Sequence, residues 1–203
     1  MTDDTMTRDE THREIAGPDD SRTLLIRRRY DAAVDDVWDA CTDPERLSRW
    51  FLPVTGELRE GGRFSVQHNA SGEILRCEPP RLLRVSWEYG EQPASQVELR
   101  LAAEDSAGDA GTTVLELEHS RIAARIEIAG REIDPVLNDA ASGLWGIGTG
   151  WELPLTIGLE RYLRGELPDR PAVEWFEVTD EVLALADRTG AAWAAVAAGR
   201  HPG

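Results

Sequence analysis

The stretch Gly150–Gly165, GWELPLTIGLERYLRG, sets the strongest condition on how this chain can fold. Trp151, Leu155, Leu159 and Tyr162 recur at helical spacing, and Leu153, Ile157 and Leu163 widen the stripe until little of the helix suits water. Thr149 stands three residues before Glu152, the spacing of a capping box, and Gly165 followed by Pro168 ends the helix. Pro154 implies a late start or a kink. Gly158 costs about 1 kcal/mol against Ala and marks either close approach of a backbone or room for a ligand. Such a helix needs a broad apolar partner.

The preceding chain supplies it. TLLIRRRYD, residues 23–31, reads as a strand. Val34, Val37, Trp38 and Cys41 then recur at helical spacing until Asp43-Pro44, and Pro44 can open a second short helix carrying Leu47, Trp50 and Phe51. After Gly61-Gly62 the period becomes two. RFSVQH puts Phe64, Val66 and His68 on one face, and GEILRCE follows as far as Pro79-Pro80. RLLRVSWEY puts Leu83, Val85 and Trp87 on one face, and QVELRLAAE does so with Val97, Leu99 and Leu101. TTVLELEH aligns Thr113, Leu115, Leu117 and His119. Strict alternation gives each strand one buried and one wet face, and hairpin-length connections make the sheet antiparallel. Between 120 and 148 the signal weakens, and RIAARIEIAGREIDPVL is either strand or helix. After the long helix, ELPDRP reads as a linker and TDEVLALADRTGAAWAAVAAG as another helix, with Leu183, Ala186, Trp193 and Val196 at helical spacing. Residues 1–22 are polar and of mixed charge, and are expected to form a disordered tail.

Composition excludes several functions. Acidic residues number 38 against 22 basic, a net charge of -16 that repels nucleic acid. The one basic cluster, Arg27, Arg28 and Arg29, reads as the solvated edge of a strand. Every basic residue is Arg, which removes lysine Schiff bases and P-loops. No apolar run is long enough to span a membrane, and the opening residues lack a signal peptide, so a cytoplasmic location is expected. Cys41 and Cys77 stand outside any CxxC spacing and read as buried free thiols.

Candidate chemistry is sparse. His68 and His119 share the apolar parity of their strands. They either orient a ligand's polar group inside a cavity or lie near strand ends and reach solvent. Glu88, Glu116 and Glu118 fall on the wet parity, so no inward carboxylate pair forms. No nucleophile is paired with a base, and no metal or other cofactor is expected.

Strand, two short helices, antiparallel strands and a long apolar helix together resemble the helix-grip fold of the START-like (SRPBCC) superfamily. The closer likeness is to its Aha1-like branch, named for the C-terminal domain of the Hsp90 ATPase activator. It is carried by VDDVWDACTDPERLSRWF (34–51), GGRFSV (61–66), GEILRCEPPRLLRVSWEYG (72–90), TTVLELEHS (112–120) and GWE (150–152). The segment at about 120–148 reads as an insertion, and it and the tail are similar to a bacterial subgroup of that branch. The resemblance implies an α+β domain over 23–165, a curved antiparallel sheet wrapped around the C-terminal helix with a cavity between them. Residues 166–203 form a linker and a C-terminal helical extension.

In that sheet order three strands separate His68 from His119, at about 4.8 Å per step, too far to share a metal ion. Trp50, Trp87 and Trp151 would stand around the cavity mouth and floor, while Trp38 packs in the core. The cavity is expected to be lined by Trp50, Phe64, Val66, His68, Val85, Trp87, Leu99, Leu101, Leu117, His119, Trp151, Leu155 and Tyr162. A curved sheet with one apolar face and a straight helix need not close completely, which leads to the same gap.

The expected function is therefore binding of a small hydrophobic or amphipathic molecule, without catalysis. A polyketide cyclase-like enzyme using His68, His119 and Tyr162 is the alternative, and a chaperone-interacting module ranks third. Homodimerisation stays open.

Overall fold

The computed structural model describes residues 11–18, 20–104, 111–128 and 130–199. Its strands run β1 (His12–Ala16), β2 (Arg22–Tyr30), β3 (Val54–Gly56), β4 (Arg63–Val66), β5 (Ser71–Glu78), β6 (Leu82–Trp87), β7 (Ser95–Glu104) and β8 (Thr112–Ile122). They form one antiparallel sheet in the order β1-β2-β8-β7-β6-β5-β4-β3. The helices α1 (Val34–Thr42) and α2 (Pro44–Ser48) fill the crossover from β2 to β3, with Asp43 capping α2 through Arg46 N–H. A separate hairpin, β9 (Ile126–Ile128) and β10 (Arg131–Ile133), resolves the ambiguous segment as strand.

The long helix is continuous but not uniform. It consists of α3 (Ile147–Leu153), a π-helical segment (Pro154–Leu159) and α4 (Glu160–Leu163). Pro154 has no N–H to donate, and the ladder widens at that residue. Leu155 and Leu159 are buried against the sheet, and Tyr30 O–H donates to the Leu155 carbonyl at 3.0 Å. At Gly158 a Cβ would lie 2.5 Å from the Trp50 carbonyl oxygen, so this glycine marks close approach of a backbone.

The capping box does not form. The helix begins two residues before Thr149, with Gly146 at its N-cap, and Thr149 is buried inside the first turns. Glu152 is turned inward, 3% exposed, where it accepts from Arg13 Nε at 2.8 Å and from Trp193 Nε1 at 3.0 Å. Long-range partners overrode the local motif because a buried carboxylate needs charged or N–H donors more than the cap needs an acceptor.

The expectation of a disordered tail over 1–22 is corrected in part; residues 1–10 lie outside the described residues. β1 pairs with β2 along its whole length, Ile15 is buried, and Arg13 reaches Glu152. A short polar strand at a sheet edge needs few apolar side chains, so composition alone concealed it. The arginine cluster is corrected too. β2 is an inner strand, and Arg28 points to the helix, buried, pairing with Glu160 at 2.7 Å and donating to Thr156 Oγ1. Arg27 and Arg29 face outward and pair with Glu116 and Glu104. Glu116 and Glu118 do stand on that outer face, beside Arg100.

The C-terminal helix α5 (Asp180–Ala198), capped by Thr179, packs on α3 and β1. Trp193 is fully buried in that contact, and a Cβ on Gly148 would come 2.7 Å from its ring. Ala186 is buried, whereas Leu183, on the expected apolar stripe, is exposed. Cys41 is buried and Cys77 half-buried, both as free thiols, and burial pushes the Cys41 thiol up to about 12. No helix among the described residues is long and apolar enough to cross a membrane.

Candidate functional site

Between the inner sheet face and the long helix lies an apolar cavity of about 190 Å³. Strand parity places Phe64, Val66, Val85, Leu99 and Leu117 in its wall, and the helix contributes Trp151 and Leu155. Trp50 and Trp87 complete the set of expected residues that line it. Trp50 is held by its ring N–H on the Ala40 carbonyl at 2.9 Å, which fixes the indole as wall. Pro44, Leu47 and Phe51 close the end below α2.

A second cavity, about 290 Å³, lies beyond the first. Trp87, Trp151 and Phe51 line both, so a layer of aromatic rings divides them. Phe51 stacks on Trp151 at 5.9 Å with 14° between ring planes, and Trp151 meets Trp87 at 5.0 Å. Phe64 extends the layer from Trp87 at 6.3 Å. The far wall is built by the 120–148 segment, including Ile126, Ile133, Pro135, Leu137 and Ile147.

His119 is the polar pin of this layer. Trp151 Nε1–H donates to His119 Nδ1 at 3.0 Å. An indole nitrogen can only donate, so Nδ1 carries no proton and Nε2 does. His119 Nε2 then donates to Ser95 Oγ at 2.7 Å, and Ser95 donates to the Trp87 carbonyl at 3.1 Å. Burial lowers the imidazole pKa to about 4, so the ring is neutral at pH 7 and every donor in the chain has an acceptor. His119 faces the second cavity, not the first.

Three expected lining residues stand elsewhere. His68 is exposed, with φ 54°, in a turn closed by the Val66 N–H on the Ala70 carbonyl at 2.7 Å. β4 ends at Val66, and the alternation that pointed His68 inward ends with it. Leu101 is buried in the core beyond the cavity. Tyr162 is half-buried at the surface of α4, where its hydroxyl accepts from Arg46 Nε at 3.0 Å and the Arg46 and Arg49 guanidinium groups lie over its ring. β4, which leads into the His68 turn, and β8, which carries His119, are separated by β5, β6 and β7. Among the described residues no cluster of three or more His, Cys, Asp or Glu could hold a metal ion.

Sequence reasoning missed Phe51 as a shared wall and Ser95 as the partner of His119. Ser95 opens β7 opposite Trp87, so strand pairing offered a signal for it. The contribution of the 120–148 segment had none. Its placement depends on Arg22, buried at the start of β2, which forks onto Asp134 at 2.8 and 2.9 Å and onto the Ala123 and Ala124 carbonyls. Burial pushes the Asp134 carboxyl up, but the Arg22 hydrogen bonds and the Val136 N–H outweigh it and hold it below its usual value.

A curved eight-stranded antiparallel sheet closed on a C-terminal helix over an apolar cavity is the α+β helix-grip fold. Within that fold the chain belongs to the Activator of Hsp90 ATPase homolog 1-like proteins, a family that matches residues 31–139. The solution NMR structure of CalU16 from Micromonospora echinospora is 41% identical, with a TM-score of 0.69 over 95% of this chain and 97% of its own. The crystal structure of the same protein gives 38% and 0.66, over 92% and 97%. DynU16, described as a protein in the dynemicin biosynthetic locus, is 27% identical with a TM-score of 0.52. That match covers 75% of this chain and 50% of DynU16. No curated protein matches the sequence.

Proposed function

We propose that the protein binds a small hydrophobic or amphipathic molecule between sheet and long helix, and does so without turnover. The supporting observation is the 190 Å³ cavity walled by strand-parity aliphatics and by indoles held through their own N–H groups. Planar apolar molecules suit such a wall, because an aromatic face gains both burial and ring stacking. A ligand hiding about 200 Å² of apolar surface gains roughly 5 kcal/mol before entropy costs. His119 supports binding over catalysis: both ring nitrogens are engaged by protein, and the neutral ring orients Trp151. The placement of DynU16 in a biosynthetic locus fits a role in handling a secondary metabolite.

Titration calorimetry with naphthalene and biphenyl tests this. Saturable binding is expected, weakened about tenfold or more when Val97→Phe or Leu117→Phe fills the cavity with circular dichroism unchanged. Product analysis after long incubation should return the probe intact. Failure of every apolar probe to bind, or binding indifferent to both fillings, refutes the assignment.

A further inference from the structure

The second cavity has a feature that the first lacks. Among the described residues that line it, Arg121 is the one charged side chain, and no Asp or Glu shares the wall. In a chain with 38 acidic residues, most arginines are engaged; Arg121 is exposed, and its guanidinium has no hydrogen-bond or ion-pair partner among the described residues. Its backbone is also unusual. The β2–β8 register shifts between Arg22 and Leu24: Leu24 faces His119 and Arg22 faces Ile122, so β8 holds one residue more than β2 in this interval. Arg121 sits in that bulge with φ 60°, a conformation disfavoured for a non-glycine residue. The bulge also breaks the alternation, so that His119 and Ile122 are both buried while Arg121 is turned out to the rim. Asn69, Gln92 and Tyr89 give the same wall neutral polar groups.

We propose that this chamber holds the apolar body of a hydrophobic carboxylic acid whose carboxylate pairs with Arg121. A planar guanidinium presents parallel N–H donors that match the two oxygens of a carboxylate. A single cation within a net charge of -16 favours a monoanion over a phosphate or polyanion, which the surrounding field would repel. The apolar body would rest on the far side of the Trp87–Trp151 layer, against Ile126, Ile133 and Ile147. The inference extends the proposed function, from which it takes apolar binding, and adds a second chamber and a charge requirement.

Calorimetry with 2-naphthoate and its uncharged counterpart 2-naphthamide tests it. The wild type should bind the acid about tenfold more tightly than the amide, and this preference should shrink as salt is raised. Arg121→Asn tolerates the same backbone and should erase the preference while leaving amide affinity within about twofold; Arg121→Lys should keep part of it. Ile133→Trp should weaken the acid, and Val97→Phe should leave acid binding unchanged. Equal binding of acid and amide, or equal weakening of both by Arg121→Asn, overturns the assignment of Arg121. Acid binding lost in Val97→Phe but kept in Ile133→Trp overturns the chamber and leaves the proposed function standing. A wild type that binds neither probe, nor naphthalene, overturns both.

Discussion

His119 shows how much one side chain's environment decides. On strand parity it is an imidazole in an apolar cavity, ready for acid–base work. In the fold, the indole of Trp151 occupies one nitrogen and Ser95 the other. The residue thus holds an aromatic wall in place, and its pKa near 4 is the cost of charging a buried ring. This has a pH signature. Between about pH 6.5 and 4 the unfolded chain binds a proton that the folded chain does not, so stability is full above pH 6.5 and falls as pH drops towards 4. Urea denaturation of the wild type and His119→Gln at pH 7 and pH 4.5 measures it. The wild type should lose about 2–3 kcal/mol more over that interval than the variant. Parallel losses would show that the imidazole is not kept neutral by the fold.

At the scale of elements, β1 carries more than its length suggests. Its five residues cover the edge of β2, bury Ile15 and deliver Arg13 to Glu152. Removing residues 1–17 would bare the N–H and C=O groups of β2 and leave the Glu152 carboxylate with Trp193 as its remaining hydrogen-bond partner among the described residues. The melting temperature should fall by about 5–10 °C, as a loss of about 2–3 kcal/mol implies for a domain of this size. Arg13→Gln should account for part of that fall, and a truncated protein that melts like the full chain would show β1 to be dispensable.

At the scale of the whole molecule, the first strand and the last helix of the described fold meet at the start of the long helix. Arg13 from β1 and Trp193 from α5 converge on Glu152, and Trp193 fills the space left by Gly148. The helix that forms the cavity floor is therefore clamped from its outer side by both termini of the described fold. Trp193→Ala should cost about 3–5 kcal/mol through the void it leaves, and more than Trp193→Phe, which fills much of the volume and forfeits only the bond to Glu152. If Phe costs as much as Ala in equilibrium unfolding, the hydrogen bond outweighs the packing.

The period of the sequence determined β2, β4 to β8, α1 and the long helix, but not the polar edge strand β1 or the β9–β10 hairpin. Alternation fixed which side chains of β4 to β8 face inward, and so most of the first cavity's wall, because parity is a local property of an extended chain. The long helix was legible for the same reason. What the tertiary structure decided is where parity stops and who answers a buried charge. His68 left the wall because β4 closes into a turn at Val66, and Arg121 reached the rim because a bulge shifted β8 by one residue. Glu152 abandoned its cap for Arg13 and Trp193, and Asp134 carried the 120–148 segment to Arg22, partners more than a hundred residues away in sequence for Arg13 and Arg22. The last two outcomes depend on a donor brought close by folding, and the energy of a buried ion pair depends on distance in space, which the order of residues does not encode.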